Sequence, residues 1–452
     1  MLGVISIILT LVALMYFAYR GVTVLVLAPL LAMTAALVAG EIPPLYALSE
    51  IFMPAAANYI AKYFPVFLAG AIFGKLMGVT GAATAIANFI ADKFGPKRAI
   101  AAIVVATALL TYGGVSLFVV VFAIYPIGAT LLKRADIPKR LLPAAIALGA
   151  FTFTMTALPG SPQYLNTMPT VYFGTDIYAG PILGIIAASI MFFGGVFYLN
   201  TRARKAESLG EGYGDHQNEN LHDLDDTNIP SFGLAIAPIV IVFILNFILT
   251  NWYFKREAVI AKYEAVGISP NGTWPVVIGL GVAVVFILIS MNKYMTNRNK
   301  IVFDGAVGGL LPIFNTASEV GYGGVIKSLA AFTTVKMAIV ALAIPSIFKV
   351  AISTTLLAGI VGSSSGGTAI ALEVLSDEFL SMGLHPEAIH RIMLVAAGGL
   401  DSLPHCGAVI TLLAVTQLNH KESYGHIAVC TMGIPLIAVM VISVLHLAFG
   451  IV

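Results

Sequence analysis

Residues 99–132 read AIAAIVVATALLTYGGVSLFVVVFAIYPIGATLL, without one formal charge. Basic residues stand at both ends: Lys93, Lys97 and Arg98 before it, Lys133, Arg134, Lys139 and Arg140 after it. Lysine and arginine collect on the cytoplasmic side of membranes, so the stretch begins and finishes on one side. Its first arm, up to the break at Tyr112-Gly113-Gly114-Val115-Ser116, is about 21 Å long at 1.5 Å per residue. That falls short of a hydrocarbon core about 30 Å thick. A re-entrant hairpin over about 99–132 is the economical reading, and two short crossings are the alternative.

The rest of the chain agrees with membrane residence. Of 452 residues, 59% are hydrophobic and 10% charged, and the mean hydropathy is +0.95. Such a composition excludes a soluble domain and requires several crossings. The first apolar stretch, from Leu2 to Ala18, has no basic leader and no small-residue cleavage site, so it reads as a retained span. Cys406 and Cys430, the two cysteines, are too few for a disulfide framework or a metal cluster, so neither a metal nor a cofactor is expected. A net charge of +2 gives no sign of a nucleic-acid partner.

Beyond the hairpin the chain crosses outward through Leu158-Pro159-Gly160-Ser161-Pro162-Gln163 and returns to Arg202, Arg204 and Lys205. Residues 1–200 thus form a first unit and 201–230 a cytoplasmic linker, and residues 231–452 form a second unit. Lys255, Arg256 and Lys262 in the expected outer loop run against this orientation. The second unit holds another broken apolar stretch, about 350–380, centred on Gly362-Ser363-Ser364-Ser365-Gly366-Gly367-Thr368. Its flanks are far less basic, so it is expected to dip in from the outer face.

The two units correspond in order. Gly81–Phe89 resembles Gly324–Phe332, Gly113-Gly114 parallels Gly366-Gly367, and Leu158-Pro159-Gly160 parallels Leu403-Pro404-His405. The expected fold class is therefore an all-α polytopic membrane protein of two inverted-topology repeats. It has about ten transmembrane helices, two re-entrant hairpins and helices interrupted at the midplane. Inverted repeats signal an alternating-access transporter with its site where the helices break.

Four breaks qualify: the hairpin tips at Gly113–Ser116 and Gly362–Thr368, and the interrupted crossings at Leu158–Gln163 and Ser402–Gly407. A half-helix starting after such a break directs about half a positive charge into the cavity, which suits a carboxylate. The candidate substrate-binding residues are Gly113, Gly114 and Ser116; Ser161, Gln163 and Asn166; and Ser364, Ser365, Gly366, Gly367 and Thr368. Small residues that merely pack helices are the bland alternative. Ionisable groups at membrane depth are costly, so Asp401, His405 and Glu319 are the candidates for proton coupling, against structural roles for each. Lys75, Lys327 and Glu373 can snorkel to the boundary. Gly362-Ser363-Ser364-Ser365-Gly366 also satisfies the G-x-S-x-G pattern of hydrolases. Ser353–Val361 before it can locally read as strand, which keeps an intramembrane hydrolase as a distant alternative.

Three strings carry a family resemblance: Glu319-Val320-Gly321-Tyr322-Gly323-Gly324-Val325-Ile326, Gly362–Gly367 followed by Ile370-Ala371-Leu372, and Gly399-Leu400-Asp401-Ser402-Leu403-Pro404-His405 leading to Gly407–Val415. In these the chain resembles the gluconate permease family of the wider ion-transporter superfamily, and the likeness covers nearly its whole length. The resemblance implies a bacterial inner-membrane symporter that takes up gluconate, another sugar acid or 3-hydroxybutyrate with protons. It also implies a homodimer working by an elevator mechanism. Thr368 and the wall Thr152-Phe153-Thr154-Met155 lean toward the smaller 3-hydroxybutyrate. Sodium is the rival coupling ion, because carbonyls freed at the breaks suit a cation equally well.

Overall fold

A computed structural model describes residues 2–20, 22–115, 117–216, 229–265, 273–404 and 406–452. Ser116 and His405 lie outside the described residues, as do residues 217–228 of the expected linker. Every regular element among the described residues is helical. That is the solution a bilayer imposes, since helices satisfy their own backbone polar groups without water.

Both halves run through the same order of elements. A helix pair opens each: Leu2–Tyr19 with Val24–Ala39, and Phe232–Tyr253 with Trp274–Ser290. A long helix follows, Pro44–Val79 or Arg298–Ser328, and then a short one, Ala82–Phe94 or Ala330–Val340. Next comes a helical hairpin. The first pairs Ala99–Tyr112 with Leu117–Arg134, and the second pairs Ser346–Val361 with Ser364–Ser381. An interrupted crossing succeeds it: Leu142–Ala150, Phe153–Thr156 and Tyr164–Phe173 in the first half, Pro386–Ala397 and Gly407–Thr416 in the second. Pro181–Ser208 and His420–Phe449 close the two halves. The former runs past residue 201, into the stretch expected to be linker.

Five of these helices are long and apolar enough to cross a membrane: Pro44–Val79, Pro181–Ser208, Phe232–Tyr253, Arg298–Ser328 and His420–Phe449. Ala82–Phe94 and Pro96–Tyr112 bend by 102° at Gly95, where φ is +66°. The long helices Pro44–Val79 and Arg298–Ser328 lie along each other. At 1.5 Å per residue, the 36 residues of the first span about 54 Å, well beyond the hydrocarbon thickness, so it must tilt, kink or run past the hydrocarbon layer.

The halves also exchange partners in the same way. Val24–Ala39 packs on Arg298–Ser328, and Trp274–Ser290 packs on Pro44–Val79. Tyr164–Phe173 packs on the second hairpin's Ser364–Ser381, and Gly407–Thr416 packs on the first hairpin's Leu117–Arg134. Past Ser208 the chain folds back. Arg140 grips Glu211 through Nε–Oε1 at 2.6 Å and Nη2–Oε2 at 2.8 Å, and the Tyr213 amide donates to Asp136 Oδ1 at 2.9 Å. The Arg140 guanidinium holds the Glu211 carboxyl below the usual carboxylate range.

Candidate functional site

The second hairpin turns sharply because Gly362 takes φ +70°, a left-handed conformation costly for a side chain. Ser363 then caps the returning helix, its hydroxyl accepting from the Gly366 amide at 3.2 Å. Just behind the tip the two arms touch. A Cβ on Gly367 would overlap the backbone of Ala358, and one on Gly366 would overlap the Glu319 carboxylate. The serine-glycine run is therefore both a turn and a seat for Glu319.

A cavity of about 430 Å³ opens at this tip. The tip supplies Gly362 to Ser365, the long helix Arg298–Ser328 supplies Asn315, Thr316 and Glu319, and the second interrupted crossing supplies Asp401, Ser402, Cys406 and Gly407. Leu117, Phe151, Met155 and Tyr164 from the first half form the opposite wall. Five helices begin at this cavity among the described residues, at Val24, Leu117, Tyr164, Ser364 and Gly407. Their amino ends together direct positive potential inward.

Two carboxyl groups share the space. Glu319 is only 3% exposed and Asp401 6%. Asp401 Oδ1 accepts from the Ser402 hydroxyl at 2.7 Å, and the Ser364 hydroxyl lies beside the same carboxyl. Glu319 Oε2 and Asn315 Oδ1 are buried and have no hydrogen-bond partner among the described residues. The described lining contains neither lysine nor arginine. A charged group so placed must be neutralised by a proton or a cation, or face an oppositely charged ligand.

The break in the first half is different. Gln163 donates through Nε2 to Thr111 O at 2.6 Å and Val115 O at 3.3 Å, tying the interrupted crossing to the first hairpin. Asn166 donates to Ser161 O at 3.0 Å and Ile177 O at 2.9 Å. Its Oδ1 accepts from Arg391 at 3.2 Å. Ser161 is fully buried beside the Gln163 amide. Gly113 packs against Ile239, and Gly114, at φ +92°, against Pro162 and Leu280. The hydrogen-bonding capacity of the Gln163 and Asn166 side-chain donors is thus taken up by backbone carbonyls.

Of the residues singled out from sequence, the structure gathers Ser364, Ser365, Glu319 and Asp401 around one cavity. Gly366 and Gly367 form the hairpin neck, and Thr368, one turn on, is buried with its hydroxyl unpartnered among the described residues. Gly113, Gly114, Ser161, Gln163 and Asn166 stand apart from the cavity lining. The candidates Ser116 and His405 are not among the described residues. Ser353–Val361 is helical, so the G-x-S-x-G run follows a helix and lacks the strand that the hydrolase turn requires.

Sequence reasoning missed Asn315, Tyr164 and Arg391. Asn315 and Glu319 are four apart in an apolar helix and share one face, a spacing that was readable. Arg391 carried no such signal. It is fully buried in Pro386–Ala397 and donates to Ala179 O at 2.7 Å, with longer bonds to Ile177 O and Thr156 O at 3.3 Å each.

Comparison with known proteins places this arrangement among transporters. Residues 1–401 match the family described as GntP family permease. A Bacillus subtilis (strain 168) protein named "Uncharacterized transporter YxjC" is 42% identical over 450 residues, covering 95% of each chain. A Haemophilus influenzae protein named "Uncharacterized transporter" is 26% identical over 349 residues, covering 75% of this chain and 74% of its own. The fold is similar to the crystal structure of the Alcanivorax borkumensis YdaH transporter, described as having an unusual topology. That likeness has a TM-score of 0.58 and 15% identity, and covers 87% of this chain and 88% of the other.

Proposed function

The chain belongs to the GntP family of permeases, and from that premise we propose that this multi-pass membrane transporter imports a small hydroxy-monocarboxylate by proton symport. The observation that carries this reading is the convergence of five helix amino ends on a cavity that also holds Glu319 and Asp401. The helix ends suit a carboxylate. The two carboxyls, buried in the lining of that one cavity, repel it unless they are protonated. Protons taken up by Glu319 and Asp401 therefore let the anion bind, and anion binding favours the protons; that mutual dependence is symport. His405, four residues after Asp401, joins this set by its place in the sequence.

Among substrates we favour 3-hydroxybutyrate over gluconate. Leu117, Phe151, Met155, Val361 and Ile410 make much of the cavity lining apolar, which suits a methyl-ended chain better than a polyol. Substrate contacts fall to Ser364 and Ser365. Gly366, Gly367 and Thr368 support the tip, and Gly113, Gly114, Ser116, Ser161, Gln163 and Asn166 support the first-half counterpart.

Alternating access in this reading comes from two repeats of opposite orientation, 1–200 and 231–452, with about ten crossings and two re-entrant hairpins. The matched element order and the exchanged packing partners support it. We further propose a homodimer in the bacterial inner membrane, with an elevator motion carrying the hairpins. Sodium coupling is the second reading, favoured by the unpartnered buried oxygens Asn315 Oδ1 and Glu319 Oε2, which suit a hard cation.

Purified protein in proteoliposomes is expected to accumulate radiolabelled 3-hydroxybutyrate or gluconate under an inward proton gradient. Uptake that needs sodium instead would overturn the coupling ion, and uptake of neither acid would overturn the substrate class. Cys406 offers a second check, since its thiol borders the cavity whereas Cys430 is fully buried. Saturating substrate is expected to slow maleimide labelling of Cys406, with Cys406→Ser as the blank. A labelling rate indifferent to substrate counts against binding in this cavity.

A further inference from the structure

Next to Glu319, the Pro44–Val79 and Tyr164–Phe173 helices, packed with the second hairpin arm Ser364–Ser381, carry a group of tyrosines. The rings of Tyr59 and Tyr63 lie with centroids 4.6 Å apart, tilted by 41°. The Tyr63 hydroxyl donates to Met168 O at 2.9 Å. The Tyr59 hydroxyl is buried without a hydrogen-bond partner among the described residues, as is Glu319 Oε2, and the two groups lie within electrostatic reach of each other. Tyr172 is also a near neighbour of Tyr59. At the half-buried rim Tyr172 donates to Glu373 Oε2 at 3.3 Å, and the exposed Lys62 ammonium sits 5.3 Å above the Tyr172 ring. None of Tyr59, Tyr63, Tyr172 or Glu373 lines the substrate cavity.

We propose that protons reach Glu319 from the rim carboxyl Glu373 through the hydroxyls of Tyr172 and Tyr59, by a route separate from the substrate's. The proposal rests on the proton-symport reading and names where its protons enter. A phenol both accepts and donates, so it passes a proton on without keeping charge. Glu373, once protonated, gives its proton to the Tyr172 oxygen as Tyr172 releases its own toward Tyr59, directly or through water. Tyr59 then repeats the exchange with the Glu319 carboxylate. At the end Glu373 is a carboxylate, both tyrosines are neutral and Glu319 carries the proton. Glu319 is faced by Tyr59 and by Tyr164 of the interrupted crossing. Glu373 is faced by Tyr172, Tyr63 and, above the Tyr172 ring, Lys62.

The test uses the whole protein in proteoliposomes with radiolabelled 3-hydroxybutyrate or gluconate, in two assays. One is uptake driven by a pH gradient, and the other is exchange of internal for external substrate at equal pH, which moves no net protons. In Tyr59→Phe, Tyr172→Phe and Glu373→Gln, driven uptake is expected to fall by about a hundredfold, the lower end of what a positioned proton donor supplies. Exchange is expected to stay close to wild type, which also reports that the fold and cavity are intact. Driven uptake with the wild-type rate and pH profile in Tyr172→Phe and Glu373→Gln overturns the route. So does equal loss of both activities in those rim variants, because that pattern means a structural role. Should Tyr59→Phe alone lose both activities, the rim variants decide. A wild-type protein without pH-driven uptake sinks the symport reading itself, an outcome distinct from wild-type symport that survives these substitutions.

Discussion

Replacing Gly367 with alanine is expected to abolish uptake while the protein still inserts. The added methyl would overlap the Ala358 backbone in the opposing arm. Backbone cannot swing away as the end of a flexible side chain can. Overpacking of this kind costs about 1–3 kcal/mol even where the surroundings relax. Here relaxation means spreading the arms, and the neck they form has no slack. Gly366 faces Glu319 and Val361, and Gly359 faces Leu400 beside the second break, with a Cβ there only 2.9 Å from Leu400 Cβ. Parting the arms therefore shifts Ser364 and Ser365 away from Asp401 and disturbs the seat of Glu319. Proteoliposome uptake checks the outcome, and size-exclusion chromatography in detergent shows whether the variant stays folded. Wild-type uptake by Gly367→Ala would mean that the tip does not need its close approach.

Arg391→Met is expected to lower stability by the largest amount of any single side-chain change described here, of order 3–5 kcal/mol. The guanidinium is fully buried, and its hydrogen bonds go to Thr156 O, Ile177 O, Ala179 O and Asn166 Oδ1. Methionine fills similar space but leaves Thr156 O, Ala179 O and Asn166 Oδ1 without the guanidinium donors in a poorly solvated interior, while Ile177 O keeps its bonds from Asn166 and the Gly160 amide. A lysine restores the charge but not the planar fork that reaches several acceptors together, so Arg391→Lys is expected to recover little. The reading is the melting temperature of the detergent-solubilised protein, expected to fall by about 3–5 °C in a chain of 452 residues. An unchanged melting temperature in Arg391→Met would remove this side chain from the framework.

Much of the architecture was visible in residue patterns because its causes are local. A charge-free run bounded by lysine and arginine, with Gly113-Gly114 in the middle, can do little but turn back, and the structure has a helical hairpin there. Gly362 and Ser363 gave the second tip for the same reason. Glu319 and Asp401 stood out because carboxyls are rare in apolar sequence, and both border the cavity. What could not be read is which of the two breaks is open. Both carry proline, glycine and hydroxyl residues. The difference lies in distant partners: Thr111 and Val115 for Gln163, Ser161, Ile177 and Arg391 for Asn166. Tyr59 and Tyr164 were silent for a similar cause, since a tyrosine in an apolar helix looks alike whether it packs or faces a carboxyl.

Arg391 acts on acceptors that the ribosome delivers much earlier. Its partner Ala179 precedes it by 212 residues, which at 5–20 residues per second amounts to roughly 10–40 s of translation. Throughout that interval the nascent first half holds unsatisfied carbonyls at its interrupted crossing, so it must either dwell within the insertion machinery or borrow water from its surroundings. Truncation products ending before residue 391 should on this account be caught by quality-control proteases, and the commitment to a finished membrane protein comes late in synthesis.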